Sequence, residues 1–98
     1  MVYDPGALDA ALAAAVGEDG KLAEELRASF IESARRQADL MRRARCDANW
    51  YHAAARLQGL AASFGARGLM ALAAEALESA PGEPGIQRRI GAALDELG

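Results

Sequence analysis

The chain has 98 residues, which supports one domain with a single core and excludes two. Hydrophobic residues make up 52% and charged residues 26%, a balance that excludes a disordered tail. Fourteen acidic side chains against eleven basic ones leave a formal charge of -3, so no broad field attracts nucleic acid or an anionic membrane.

Ala, Leu, Glu and Arg dominate, and the apolar positions recur at intervals of three and four. The fold class expected is all-α, an antiparallel up-and-down four-helix bundle with an extra short N-terminal helix, spanning residues 1–98. Asp4-Pro5 pairs a capping residue with proline at the first helical position and opens that short helix, with Leu8, Ala11, Leu12 and Val16 on one face and Gly17 as its stop. A long helix follows from about Asp19 to Arg45, its buried stripe running through Leu22, Leu26, Phe30, Ala34, Gln37, Leu40, Met41 and Ala44.

Cys46-Asp47-Ala48-Asn49 interrupts the pattern, and the next helix is expected to start close to Trp50. Its core positions are Trp50, Ala53, Ala54, Leu57, Leu60, Ala61 and Phe64, and Gly65 ends it. This rotation exposes His52, Ala55, Arg56 and Gly59. A further helix covers about Ala66 to Ala80 with Leu69, Leu72, Ala73, Ala76 and Leu77 inward. Pro81-Gly82-Glu83-Pro84-Gly85 reads as a turn, and the last helix buries Ile86, Ile90, Ala93, Leu94 and Leu97.

Chemistry-bearing patterns are sparse. His52 is the sole imidazole, and no Ser or Cys stands beside it in a recognisable triad. Cys46 is the sole cysteine and reads as an ordinary loop thiol, so neither a disulfide, a metal site nor a cofactor is expected. Glu24, Glu25, Glu75 and Glu78 read as helix exterior. Gly59, Gly65 and Gly68 follow no strand and form no nucleotide fingerprint. Trp50, Phe30 and Phe64 lie on apolar stripes, as core residues do, rather than as stacking platforms for bases. The first residues carry no charged leader before an apolar run, and no stretch of about 18 apolar residues occurs; a cytoplasmic protein is expected.

The segment Ala55-Arg56-Leu57-Gln58-Gly59-Leu60-Ala61-Ala62-Ser63-Phe64-Gly65-Ala66 resembles the signature of histidine-containing phosphotransfer (HPt) domains, commonly His-x-Leu-Lys-Gly-Ser-Ala-x-x-Leu/Phe-Gly. Leu57, Gly59, Ala61, Phe64 and Gly65 set the register. The flanks agree across the chain: a long preceding helix with a central Phe30, the acidic Asp47 in the connection, and two following helices.

The resemblance implies a two-component phosphorelay protein whose partner is a response-regulator receiver domain or a histidine kinase. It also places the family's phosphoacceptor histidine at Ala55 and its lysine at Gln58. A methyl group cannot be phosphorylated, and an amide carries no charge to neutralise a phosphoryl group. The chain is therefore expected to be a degenerate, non-catalytic member that binds its partner through His52, Ala55, Arg56, Gln58 and Gly59.

Gly59 admits two explanations, close approach of a partner's backbone or close packing within the bundle. His52, three residues before Ala55, is displaced by about 4.5 Å along the helix. It stands as an alternative phosphoacceptor or as an ordinary surface histidine. A helical interaction module unrelated to phosphorelay is the third reading, and the oligomeric state is left open.

Overall fold

A computed structural model describes Ala10, Leu12, Ala14, Gly17 and residues 19–98. Within them lie four helices, α1 (Gly20–Arg43), α2 (Asp47–Ser63), α3 (Arg67–Glu78) and α4 (Pro84–Leu97), and no strand. The short N-terminal helix expected from the sequence lies, apart from a few residues, outside the described ones; of its apolar face, Leu12 is described and is buried.

Each helix starts and stops for a local reason. The Asp19 side chain accepts a hydrogen bond from the Leu22 N–H at 3.0 Å, satisfying one of the free donors at the start of α1. Arg42 and Arg43 occupy its last turn, where cations suit the helix dipole. Extended backbone at Ala44 then ends α1 slightly before the expected Arg45.

The start of α2 differs from expectation by one turn. Cys46 is extended and serves as the N-cap, while Asp47 stands inside the first turn as a favourable charge rather than in the connection. Trp50 is thereby already within the helix when it reaches the core. At the other end, Gly65 adopts φ +69°, its N–H bonds to the Ala62 carbonyl, and the Ala66 N–H bonds to the Ala61 carbonyl at 2.9 Å. This pair of bonds is a Schellman stop, and the left-handed conformation it needs favours glycine.

The expected turn through Gly85 is shorter than the sequence suggests, because Pro84 opens α4 at the position where a missing N–H costs nothing. Glu83 caps it, accepting from Gly85 N at 2.9 Å and Ile86 N at 2.7 Å. Those two bonds hold the Glu83 carboxyl below its ordinary value of 4.5. A depressed folded value stabilises the protein above the unfolded value and ceases to do so as pH falls through the folded one. Glu83→Ala is therefore expected to lower stability at neutral pH, with the difference from wild type narrowing in denaturant titrations as pH falls from 4.5 through the lower folded value.

The core gathers Phe30, Ala34 and Met41 of α1, Trp50, Ala53, Ala54, Leu57 and Ala61 of α2, Leu69, Leu72, Ala73 and Ala76 of α3, and Ile86, Ile90, Ala93, Leu94 and Leu97 of α4. Helix α2 packs against α1 and α3, and α4 completes the ring against the same two helices. Phe30 stacks on Phe64 with ring centroids 4.7 Å apart. The Trp50 indole N–H donates to the Ala76 carbonyl at 3.1 Å, and the Tyr51 hydroxyl to the Ser79 carbonyl at 3.3 Å, pinning the first turn of α2 to the end of α3.

Several expectations for the buried stripes need correction. Leu26, Ala44, Leu60 and Leu77 pack against the core but are only partly buried. Leu22 and Leu40 are exposed, at 41% and 44%, because the helical period sets them to the side of the stripe formed by Phe30, Ala34 and Met41. Phe64 is half-buried, since one side of its ring meets Phe30 and the C-terminal end of α2 leaves the other partly open. Gln37 is partly buried, and its Oε1 is enclosed without a hydrogen-bond partner.

Candidate functional site

The segment resembling the phosphotransfer signature forms the second half of α2 and the stop that follows it, Phe64 to Ala66. Trp50, Ala53, Ala54, Leu57 and Ala61 are buried along one side of this helix, which turns the opposite side to solvent. His52, Ala55, Arg56 and Gly59 are all exposed, as the helical period requires, and Gln58 is half-buried at the edge.

Ala48, Ala55, Gly59 and Ala62 share this outward side with His52. Their small side chains make the middle of the face flat. A Cβ placed on Gly59 would meet nothing within 4 Å, so packing within the bundle does not require glycine there. Glycine inside a helix costs about 1 kcal/mol relative to alanine, and nothing in the fold offsets it. Gly59→Ala is accordingly expected to raise the unfolding free energy by about 0.5–1 kcal/mol in urea titrations. A loss of stability would mean that the backbone at this position is constrained in another way.

The Ser63 hydroxyl donates to the Gly59 carbonyl at 2.9 Å, an additional bond on the exposed side of the same turn. Arg56 has no ion-pair or hydrogen-bond partner among the described residues. Position 55 presents a methyl group to solvent, with His52 one turn earlier and Gln58 one turn later. In chemical terms the face carries a neutral donor and acceptor at Gln58, a guanidinium at Arg56 and one imidazole, set round a flat centre.

A concave feature elsewhere was not legible in the sequence. A groove of about 390 Å³ runs between α1 and α4, lined by Arg35, Ala38, Asp39, Met41, Arg42, Gln87, Ile90, Gly91 and Leu94. Its residues come from helices about fifty positions apart, and no local motif joins them. The Arg35 guanidinium is tied to the Leu94 carbonyl at 3.3 Å and to Asp95 at 3.2 Å. Asp39 pairs with Arg42 and Arg43, whose charges and hydrogen bonds hold its carboxyl below the usual range. The groove thus has an apolar floor and a rim whose charges are mutually satisfied.

Among the described residues no group of three or more His, Cys, Asp or Glu side chains is placed to hold a metal ion. No described helix is long and apolar enough to cross a membrane. No protein-family model, curated protein or solved structure matches the chain.

Proposed function

We propose that the chain is a degenerate HPt-like docking module that binds a receiver domain or a histidine kinase of a two-component pathway through the exposed face of α2. It carries no phosphate at position 55. The observation that carries this reading is Gly59, a helix-weakening residue at the centre of an exposed face, with open space where a side chain would stand. A partner's backbone approaching that point gives the glycine a purpose that the bundle does not, and the residue falls at the glycine of the signature resembled.

The finer architecture belongs to the same proposal. Three-residue connections, Ala44 to Cys46 and Phe64 to Ala66, are short enough that consecutive helices run antiparallel, in an up-and-down bundle with a short helix before α1. The stacking of Phe30, in mid α1, on Phe64, just past the end of α2, supports a hairpin for this pair. A cytoplasmic location follows from the kind of partner proposed.

A second reading, phosphoryl transfer through His52, has the exposure of that imidazole on the same face in its favour. Its displacement by about 4.5 Å from position 55 demands a different docking pose for in-line transfer. Binding to a panel of purified receiver domains, measured by calorimetry, tests the docking. Incubation with phosphorylated receivers and with acetyl phosphate, followed by intact-mass measurement under non-acidic conditions, tests the chemistry. The proposal requires binding to at least one receiver with no phosphate gained by the wild type. A phosphate gain abolished by His52→Ala would establish the second reading, and absence of binding to every receiver would reject docking.

A further inference from the structure

Charge is unevenly placed along the chain. From Arg35 to Arg67 the sequence holds seven arginines and His52 against two acids, Asp39 and Asp47, although the whole carries -3. The excess lies in the latter half of α1 and in Arg45 and Arg67 of the connections; α2 itself sets one arginine, Arg56, against Asp47, and the remainder of the chain is acidic.

Within this basic region stands Leu40, 44% exposed. Arg36 and Arg43, four residues before it and three after, lie on the same side of α1. They pair with Glu32 at 3.2 Å and Asp39 at 2.8 Å, exposed contacts that a partner's carboxylate can replace at little cost. The flank of α1 facing α4 is marked by the groove residues Arg35, Ala38 and Arg42. Leu40 occupies the other flank, toward α2.

The α2 side of this seam follows from Phe64, which stacks on Phe30. Arg56 lies two turns before Phe64 and His52 three. Helical rise carries Leu40 about 15 Å from Phe30, and Arg56 and His52 about 12 and 18 Å from Phe64. In the antiparallel arrangement these displacements run the same way, so Leu40 stands level with the gap between Arg56 and His52.

We infer that the α1–α2 seam is the docking surface, with Leu40 as its apolar anchor, Arg36, Arg43 and Arg56 as a cationic fence, and His52 beside them. The partner it fits is a protein surface offering an apolar hollow rimmed by carboxylates. An isolated exposed leucine is unremarkable on any protein surface; here its setting is the informative feature. Leu22, 41% exposed on the same helix, is flanked by Lys21, Glu24 and Glu25 and has no such fence. Protein interfaces concentrate binding energy in an anchor and draw steering from the surrounding charge, the arrangement that one leucine among a few discrete arginines offers.

The inference rests on the docking proposed above for the partner class, and it is tested on the full chain. Amide spectra of the labelled protein are followed during titration with each receiver domain of the panel, with a single-stranded oligonucleotide and with anionic phospholipid vesicles. At least one receiver is expected to shift the signals of Arg36, Leu40, Arg43 and Arg56 together, with affinity falling as salt rises. Leu40→Asp and Arg56→Glu should each weaken that binding by about tenfold or more, while Leu22→Asp leaves it unchanged. Should Leu40→Asp disturb the fold, seen in its own amide spectrum, Leu40→Ala serves in its place.

Receiver binding that survives Leu40 substitution, or that maps to the α1–α4 groove, would overturn the seam and leave docking intact. Binding to no receiver would overturn both readings. In that case, oligonucleotide or vesicle binding lost in Arg56→Glu would reassign the basic face to a polyanion.

Discussion

Trp50→Ala should lower the unfolding free energy by about 3 to 5 kcal/mol, a large part of the roughly 5 to 15 kcal/mol that holds a domain of this size together. Trp50 is 1% exposed, and two effects combine at this position. Truncation leaves a cavity among α2, α3 and their neighbours, lined by side chains that relax only partly into it. It also removes the indole N–H that donates to the Ala76 carbonyl, where α3 ends. Ala76 keeps its bond from the Ser79 N–H, so the carbonyl is not orphaned and the cavity dominates the loss.

Trp50→Phe restores most of the volume without the donor, and it should cost much less, with about 1 kcal/mol attributable to the hydrogen bond. Phe30→Ala, at a site 1% exposed, belongs in the same range as Trp50→Ala, whereas Phe64→Ala should cost less because that ring is half-buried. Urea titrations of the four variants measure these differences. A change near zero for Trp50→Ala or Phe30→Ala would mean that the ring does not fill the core.

The second large effect is a gain of chemistry. Ala55→His alone should confer little phosphoryl acceptance, and Ala55→His combined with Gln58→Lys measurably more. Ala55 is exposed, so an imidazole there reaches solvent and a docked partner. Gln58 is half-buried one turn away, and a lysine at that position lays its stem along the helix while its ammonium extends to the surface.

Arg56, the next residue, is turned about 100° round the helix from position 55, whereas an ammonium one turn away at position 58 can reach the transferring phosphoryl group and stabilise it electrostatically, an effect of several kcal/mol where a docked partner excludes water. Transfer is measured from phosphorylated receivers to the wild type, both single variants and the double variant, each with and without His52→Ala. Equal transfer to the single Ala55→His and the double variant would remove the role assigned to position 58. Transfer to no variant from any receiver would count against the docking face itself.

Much of this molecule was determined by its local sequence. The stripes Leu69, Leu72, Ala73, Ala76 and Ile86, Ile90, Ala93, Leu94, Leu97 repeat at helical spacing, and those residues are buried. Gly65 announced the end of α2 because the stop needs a left-handed residue, a requirement of the local backbone. The outward turn of His52, Ala55, Arg56 and Gly59 followed from the burial of Trp50 and Leu57 by helical geometry alone.

Tertiary packing decided what periodicity cannot. Leu22, Phe30 and Leu40 are equally apolar in the sequence, yet the neighbouring helices cover only Phe30, since coverage depends on where those helices lie. That packing within the bundle does not require Gly59 was visible only in the empty space beside it, which no residue type encodes. The groove between α1 and α4 exists because side chains from distant parts of the chain meet across two helices, and the basic flank around Leu40 becomes one surface only when α1 and α2 lie side by side.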